Sequence, residues 1–370
     1  MLFIFGTRPE AIKLAPLIKE FQRRSQFDTK VCVTGQHRQM LDQVLSFFEI
    51  KPDYDLDIMQ ADQTLFDVTA NGLKKLEKVF DDCKPECVFV QGDTTTSFIG
   101  ALAAYYKKVK IAHIEAGLRS HNKYSPFPEE VNRKLAGHMA DFHFAPTEQA
   151  VQHLALENIR SHVYNVGNTV IDALFLGLEQ NKKKGHTKNN YDFLKNNHRM
   201  VLITGHRRES FGKPFEDICE AIRTLSLRYA DVEFVYPVHL NPNVREPVNR
   251  LLSDLSNVHL IEPLEYPEFI EMIEKSTIVL TDSGGLQEEA PSLGKPVLVM
   301  REVTERMEGV EAGTAKLVGT DKNLIVSEMS KLLDDKMAYD KMAKAVNPYG
   351  DGSTCAKIAD VISTIYSNTK

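Results

Sequence analysis

Short apolar runs alternate with longer segments of helical period along nearly the whole chain, and this alternation restricts the fold more than any other feature. In the first half the runs are 2–5, 30–34, 87–91, 110–114, 142–146 and 163–166. Between them, 38–48, 65–82 and 95–106 carry apolar residues at spacings of three and four. Strands apolar on both faces belong in a parallel sheet covered by helices on both sides, so the pattern predicts βα units in a doubly wound sheet. Pro9 suits a first helical turn, whereas Pro16 in the same pattern predicts a kink or an early stop.

At 179–199 the sequence becomes polar and basic and contains Gly185, as a linker or exposed excursion would. The alternation then restarts with 200–204, 232–238, 258–261, 278–281 and 296–299, which predicts a second doubly wound domain. The expected division is 1–170 for an N-terminal Rossmann-like domain and 171–350 for a C-terminal one. In the tail, apolar residues at 356, 358, 359, 362 and 365 form a helical stripe, so 351–370 is expected to pack back on the first domain. Two such domains facing each other place a ligand cleft between the carboxyl ends of their strands.

Composition narrows the function. The chain has 370 residues, 42% of them apolar, enough for a large core. Its 45 basic and 51 acidic side chains give a net charge of −6, which offers no footprint for nucleic acid or an anionic membrane, so an anionic ligand needs a local site. No apolar run approaches the ~18 residues of a membrane span, and the first run is too short for a signal peptide, so a cytoplasmic location is expected. The five cysteines are scattered, and Cys83 with Cys87 lacks a second pair to complete a zinc site, so reduced structural thiols are expected.

The loops after the strands hold the chemistry. Gly6-Thr7-Arg8-Pro9-Glu10 follows the first run and leads to Lys13; a glycine turn at a helix start with two cations suits an anion. Without the three-glycine spacing, a nicotinamide cofactor is unsupported. Asp93 and Glu115 end two different strands, where one crevice could hold both and mutual repulsion with desolvation would raise at least one pKa. Glu129 and Glu130 open a helix after Pro126-Phe127-Pro128. Singly these acids read as caps or helix starts; together they can divide acid and base duties.

In the second half, His206 with Arg207 and Arg208 suits a phosphate clamp, and His239 follows the next strand. No carboxylate or second histidine stands at metal-ligand spacing, so no metal is expected. Ser283-Gly284-Gly285 opens a helix with free N–H groups and no Cβ to obstruct approach, as a pyrophosphate cradle requires. Glu289 further along is placed to accept a ribose diol, and Arg301 and Arg306 add charge.

Taken in order, "FGTRPEAIKLAPL", "GQHRQML", "QGDTTT", "HIEAGLRS", "PFPEEVNRKL", "TGHRRES", "TDSGGLQEEAPSLGKPVLVMR", "VEAGT" and "NPYGDG" resemble the non-hydrolysing bacterial UDP-N-acetylglucosamine 2-epimerases from Phe5 to Gly352. The resemblance implies a glycosyltransferase-B-like fold, a homodimer, no cofactor, and interconversion of UDP-N-acetylglucosamine and UDP-N-acetylmannosamine for surface-polysaccharide precursors. It implies elimination of UDP to a 2-acetamidoglucal, followed by re-addition. Carried onto this sequence, it makes Asp93, Glu115 and Glu129 acid/base residues around C2 and His206 an essential residue near the diphosphate. Arg8, Lys13, Ser283, Gly284, Gly285, Glu289 and Arg306 would bind UDP, with Leu264 and Phe269 beside the uracil. Some members carry a second, activating substrate site, matched here by Gln36, His37, Gln39, Gln63, Glu129, Arg207 and His239.

Two departures stand out. Asp62 replaces an arginine used at the activating site, and a carboxylate there repels a diphosphate. Met307 stands where the family usually has proline, which alters loop stiffness more than chemistry. Rival readings are an epimerase of a modified amino sugar, a UDP-sugar glycosyltransferase of the same fold, and a nucleotide-sugar sensor without catalysis.

Overall fold

Two parallel sheets, each in its own unit, account for the strands of the computed structural model, which describes all residues except 36–37, 60–62, 186–190, 192, 194–197 and 368–370. Unit 1 comprises Met1–Leu176 with Tyr349–Lys370, and unit 2 comprises Gly177–Pro348.

Unit 1 begins with β1 (Leu2–Phe5), α1 (Arg8–Arg23), β2 (Lys30–Val33), α2 (Arg38–Phe47), β3 (Tyr54–Asp55) and α3 (Leu65–Cys83). It continues with β4 (Cys87–Gln91), α4 (Thr95–Tyr106), β5 (Lys110–Ile114), α5 (Glu129–Met139), β6 (Phe142–Ala145), α6 (Glu148–Leu156), β7 (Val163–Asn165) and the first part of α7 (Thr169–Lys184), whose residues from Gly177 onward belong to unit 2. The sheet order is β3-β2-β1-β4-β5-β6-β7, parallel throughout. The order reverses at β1, so the loops leaving β1 and β4 emerge side by side, with that of β5 next to them. This is the switch point at which open α/β sheets bind ligands.

The strands are apolar on both faces because both faces are covered: Leu2 and Ile4 join one core cluster with Val88, Val90 and Ile99. On the other face Phe3 stacks on Phe89, and Phe21 of α1 meets both rings edge-on.

Pro16 neither stops nor shortens α1, contrary to the expectation of an early stop. Leu14, Ala15, Leu17, Ile18 and Phe21 are buried along this helix, and packing of that face outweighs the one backbone hydrogen bond that proline removes.

Unit 2 contains β8 (Arg199–Thr204), α8 (Lys213–Arg228), β9 (Val232–Pro237), α9 (Pro242–Leu252), β10 (Val258–Ile261), α10 (Tyr266–Lys275) and β11 (Ile278–Thr281). After them come α11 (Gly284–Glu289), β12 (Val297–Val299), α12 (Met307–Glu311), β13 (Ala315–Leu317), α13 (Lys322–Asp334) and α14 (Lys336–Ala343). The order is β10-β9-β8-β11-β12-β13, again parallel, with its switch point between β8 and β11.

Helix α15 (Thr354–Ser367) belongs to unit 1 and packs against α1, where Arg24 pairs with Asp360. Cys355 N–H donates to buried Asp172 of α7 at 2.8 Å. The polar stretch read as beginning at Glu179 is still helical there, because α7 runs to Lys184 and its last-turn lysines suit a helix carboxyl end. Among the described residues no helix is long and apolar enough to cross a membrane. All five cysteines are free; burial pushes the Cys87 thiol up to about 12.

Candidate active site

The loops leaving β1 and β4 are tied together by one buried carboxylate. Glu10 Oε2 accepts the N–H groups of Gly6 (3.0 Å) and Thr7 (2.8 Å) and the Thr7 hydroxyl (2.8 Å). Its Oε1 accepts the hydroxyls of Thr94 (2.6 Å) and Ser97 (3.1 Å). Burial pushes the Glu10 carboxyl up, opposed by these hydrogen bonds. Glu10 forms a capping box with Thr7, and its second oxygen reaches the neighbouring loop.

Asp93 does not cap α4; Thr94 does, accepting from Ser97 N–H at 3.1 Å. The Asp93 carboxylate is turned instead to Arg133 of α5. Arg133 also donates to the Glu115 carbonyl oxygen at 2.6 Å and stands 3.6 Å from the Glu115 carboxylate. Glu115 in turn pairs with Lys13 of α1 and accepts from Asn168 Nδ2 at 3.2 Å. The mutual repulsion expected of Asp93 and Glu115 is therefore offset by a shared guanidinium and by an ammonium on Glu115. Lys13, read as a nucleotide ligand, sits on an acid/base candidate in this structure.

Glu115 lies at φ 60°, the left-handed region, in which a side chain costs about 1–2 kcal/mol. Gly117 follows at φ 92°, where an added Cβ would come within 2.3 Å of the Ala150 carbonyl oxygen. Arg133 and Lys13 hold this strained residue at the strand end.

Glu129 and Glu130 separate into two jobs. Buried Glu130 accepts the N–H groups of Ser120 (2.9 Å) and His121 (3.2 Å) and so shapes the preceding loop. Glu129 lies one helical turn before Arg133 on the same face, and its Oε2 is buried without a hydrogen bond. This acceptor remains available beside the group that joins the other two acids.

Beneath them His113 is fully buried, its Nε2 2.7 Å from the Gly92 carbonyl next to Asp93. Burial pushes this imidazole down to about 3. A depressed histidine contributes stability that is present above its unfolded value of 6.5 and lost as pH falls toward the folded value. His113→Gln, whose amide reaches the same carbonyl, is expected to remove about 1–2 kcal/mol of the acid-side loss between pH 6.5 and about 5. Urea melts at the two pH values test this; an unchanged difference between them would contradict it.

In unit 2 the corresponding strand ends are those of β8 and β11, paired to Thr204 and Thr281. His206 and Arg207 leave β8, and Asp282 and Ser283 leave β11. Asp282 is 2% exposed, and its Oδ2 accepts the N–H groups of His206 (2.6 Å) and Arg207 (2.8 Å). The His206 ring stacks on that of His239, centroids 5.1 Å apart and 12° from parallel. Desolvation, then the neighbouring His206, lowers the pKa of His239.

Ser283 occupies the N-cap position of α11 but spends no side-chain hydrogen bond on the helix, and Gly284 and Gly285 follow without Cβ atoms. Glu289 is buried at 8% exposure near the end of α11. Arg306 is held by Glu288 and lies 3.5 Å from Glu305, while Arg301 pairs with Glu209 and Glu305. These arginines are oriented but partly neutralised, a balance that spacing alone does not reveal. Leu264 and Phe269 pack partly buried against the core face near β10.

Of the positions matched to an activating site, Gln39 is exposed on the first turn of α2, and Gln63 donates to the Ile58 carbonyl before α3. Arg207 Nε donates to the Asp282 carbonyl at 2.9 Å. Gln36, His37 and the departure at Asp62 lie outside the described residues. Among the described residues no group of three or more histidine, cysteine or acidic side chains could hold a metal ion.

The family model described as UDP-N-acetylglucosamine 2-epimerase matches residues 19–363. The chain is 53% identical over 371 residues to the UDP-N-acetylglucosamine 2-epimerase of Campylobacter jejuni, covering 98% of this chain and 97% of that one. The chain belongs to the UDP-N-acetylglucosamine 2-epimerase family. The Escherichia coli 2-epimerase is 52% identical, with 98% of each chain covered. The crystal structure of the Neisseria meningitidis 2-epimerase bound to UDP-GlcNAc superposes with a TM-score of 0.88 at 50% identity, covering 98% of this chain and 99% of that one. The two doubly wound sheets of this 2-epimerase family member are of the glycosyltransferase-B-like class.

Residues that sequence reasoning left without a role are Arg133, Asn168, Glu10 and Asp282. Two carried a signal: Arg133 is four residues from Glu129 on a helix, and Asp282 directly follows a strand, as polar residues at the ligand end of a parallel sheet do.

Proposed function

We propose that the chain interconverts UDP-N-acetylglucosamine and UDP-N-acetylmannosamine by loss and re-addition of UDP. The observation that carries this reading is the pair of strand-end carboxylates, Asp93 and Glu115, joined through Arg133 in a member of this family. The C2 proton of the sugar is not adjacent to a carbonyl and is a poor acid. When the C1–O bond breaks, its electron pair leaves on the diphosphate oxygen, and positive charge at C1 acidifies C2–H. A carboxylate takes that proton, leaving a 2-acetamidoglucal and UDP. Proton return on the opposite face, with re-addition of UDP at C1, inverts C2 and restores every atom.

Asp93, Glu115 and Glu129 are the groups for the two proton transfers, with Arg133 and Lys13 fixing the first two. Ser283, Gly284 and Gly285 present donors for the diphosphate, helped by Arg8, Arg306 and His206. Glu289 suits the ribose hydroxyls, and Leu264 and Phe269 an apolar face for uracil. The same reading makes the enzyme a cytoplasmic homodimer feeding surface-polysaccharide synthesis; sedimentation of the pure protein tests the dimer.

Incubated with UDP-N-acetylglucosamine in deuterated water, the enzyme is expected to place deuterium at C2 of both epimers, read by NMR. Epimer free of deuterium would overturn the elimination route. UDP released only when an acceptor sugar is added would favour a glycosyltransferase instead.

A further inference from the structure

We infer that Asp282 is a positioning residue that fixes the tautomer and orientation of His206, an inference that rests on the role proposed for His206 at the diphosphate. Asp282 Oδ2 is used on the two backbone N–H groups that follow β8. Its Oδ1 is buried, accepts no hydrogen bond, and lies 3.4 Å from His206 Nδ1. On an otherwise enclosed carboxylate this oxygen faces the ring that it can orient. His239 covers one face of that ring. The carboxylate lies beside Nδ1, the His239 imidazole covers one face, and 45% of the His206 side chain stays exposed, so the ring can still meet a ligand.

The chemistry follows from the placement. A carboxylate beside Nδ1 holds the proton there and leaves Nε2 as the lone-pair nitrogen of the neutral ring. When Nε2 is protonated, the same carboxylate stabilises the imidazolium that donates to a departing diphosphate oxygen. The arrangement requires no new backbone, because β8 and β11 are adjacent strands and Asp282 N–H bonds the Thr204 carbonyl at 3.1 Å. The register of the sheet therefore delivers acid and imidazole to each other.

Asp282→Asn separates this role from a purely structural one. Asparagine keeps an oxygen for the two backbone N–H groups, so a loop anchor alone would survive. Its amide nitrogen, however, presents a donor to Nδ1 and moves the ring proton to Nε2. The expected result is a fall in kcat of at least ~100-fold with the Kd for UDP changed less than about threefold. In protein labelled with 15N-histidine, long-range proton–nitrogen spectra should show His206 with the proton on Nδ1 in wild type and on Nε2 in Asp282→Asn, the resonance being assigned by its loss in His206→Gln. A wild-type Nε2–H tautomer overturns the inference whether or not the variant folds, as does an Asp282→Asn enzyme with kcat within about threefold of wild type. An inactive wild type with the Nδ1–H tautomer would instead overturn the proposed epimerase activity.

Discussion

Glu115→Gln and Asp93→Asn are each expected to lower turnover at least ~100-fold while leaving the Kd for UDP within about threefold of wild type. Both replacements keep the shape of the side chain and remove the proton acceptor, so the loss reports chemistry rather than packing. The neighbours differ, and so should the secondary effects. In Glu115→Gln the new amide oxygen still accepts from Asn168, but the ion pair with Lys13 is lost and that ammonium is left against a neutral group. In Asp93→Asn only one side of the Arg133 fork is lost. A lowered melting temperature is therefore expected for Glu115→Gln more than for Asp93→Asn. Calorimetric titration with UDP beside steady-state kinetics separates the cases. Lost UDP binding with unchanged turnover per bound complex would contradict the acid/base roles.

The pattern of alternation was sufficient to find both sheets, because a parallel sheet covered on two faces needs near-continuous apolar strands. The strands it missed were β3, only two residues long, and β13, whose three residues Ala315–Leu317 are interrupted by Lys316. Position was legible for Asp93, Glu115, His206 and Ser283, which follow the ends of β4, β5, β8 and β11 within two residues. The long-range partners of these residues were not legible. Lys13 to Glu115 spans 102 positions, and His206 to Asp282 spans 76. Nothing in local spacing says that a helix cation will turn to a carboxylate rather than to a phosphate. The net charge of −6 likewise hid the local balance, since Arg301 and Arg306, read as added positive charge, are matched by Glu209, Glu305 and Glu288.

Arg133→Met should be the most disruptive single change at the unit 1 strand ends. Methionine fills much of the same volume, so the cavity is small and the electrostatic loss dominates. The guanidinium is 8% exposed and serves two carboxylates, of which Glu115 is 6% exposed and Asp93 28%. Removing one partner of a buried pair leaves an uncompensated charge, worth about 3–5 kcal/mol; the wetter Asp93 and the remaining Lys13 reduce this to roughly 2–3 kcal/mol. The Glu115 carbonyl also loses its donor, at a residue already held at φ 60°. Turnover should therefore fall together with stability, unlike the isosteric acid variants, which lose turnover first. Arg133→Lys retains a charge without the fork and should recover stability better than turnover, because an ammonium neutralises Glu115 but does not orient Asp93 at the same time. Paired urea melts and assays of the two variants decide the matter: an Arg133→Lys protein no more stable than Arg133→Met would mean that Arg133 acts by packing alone.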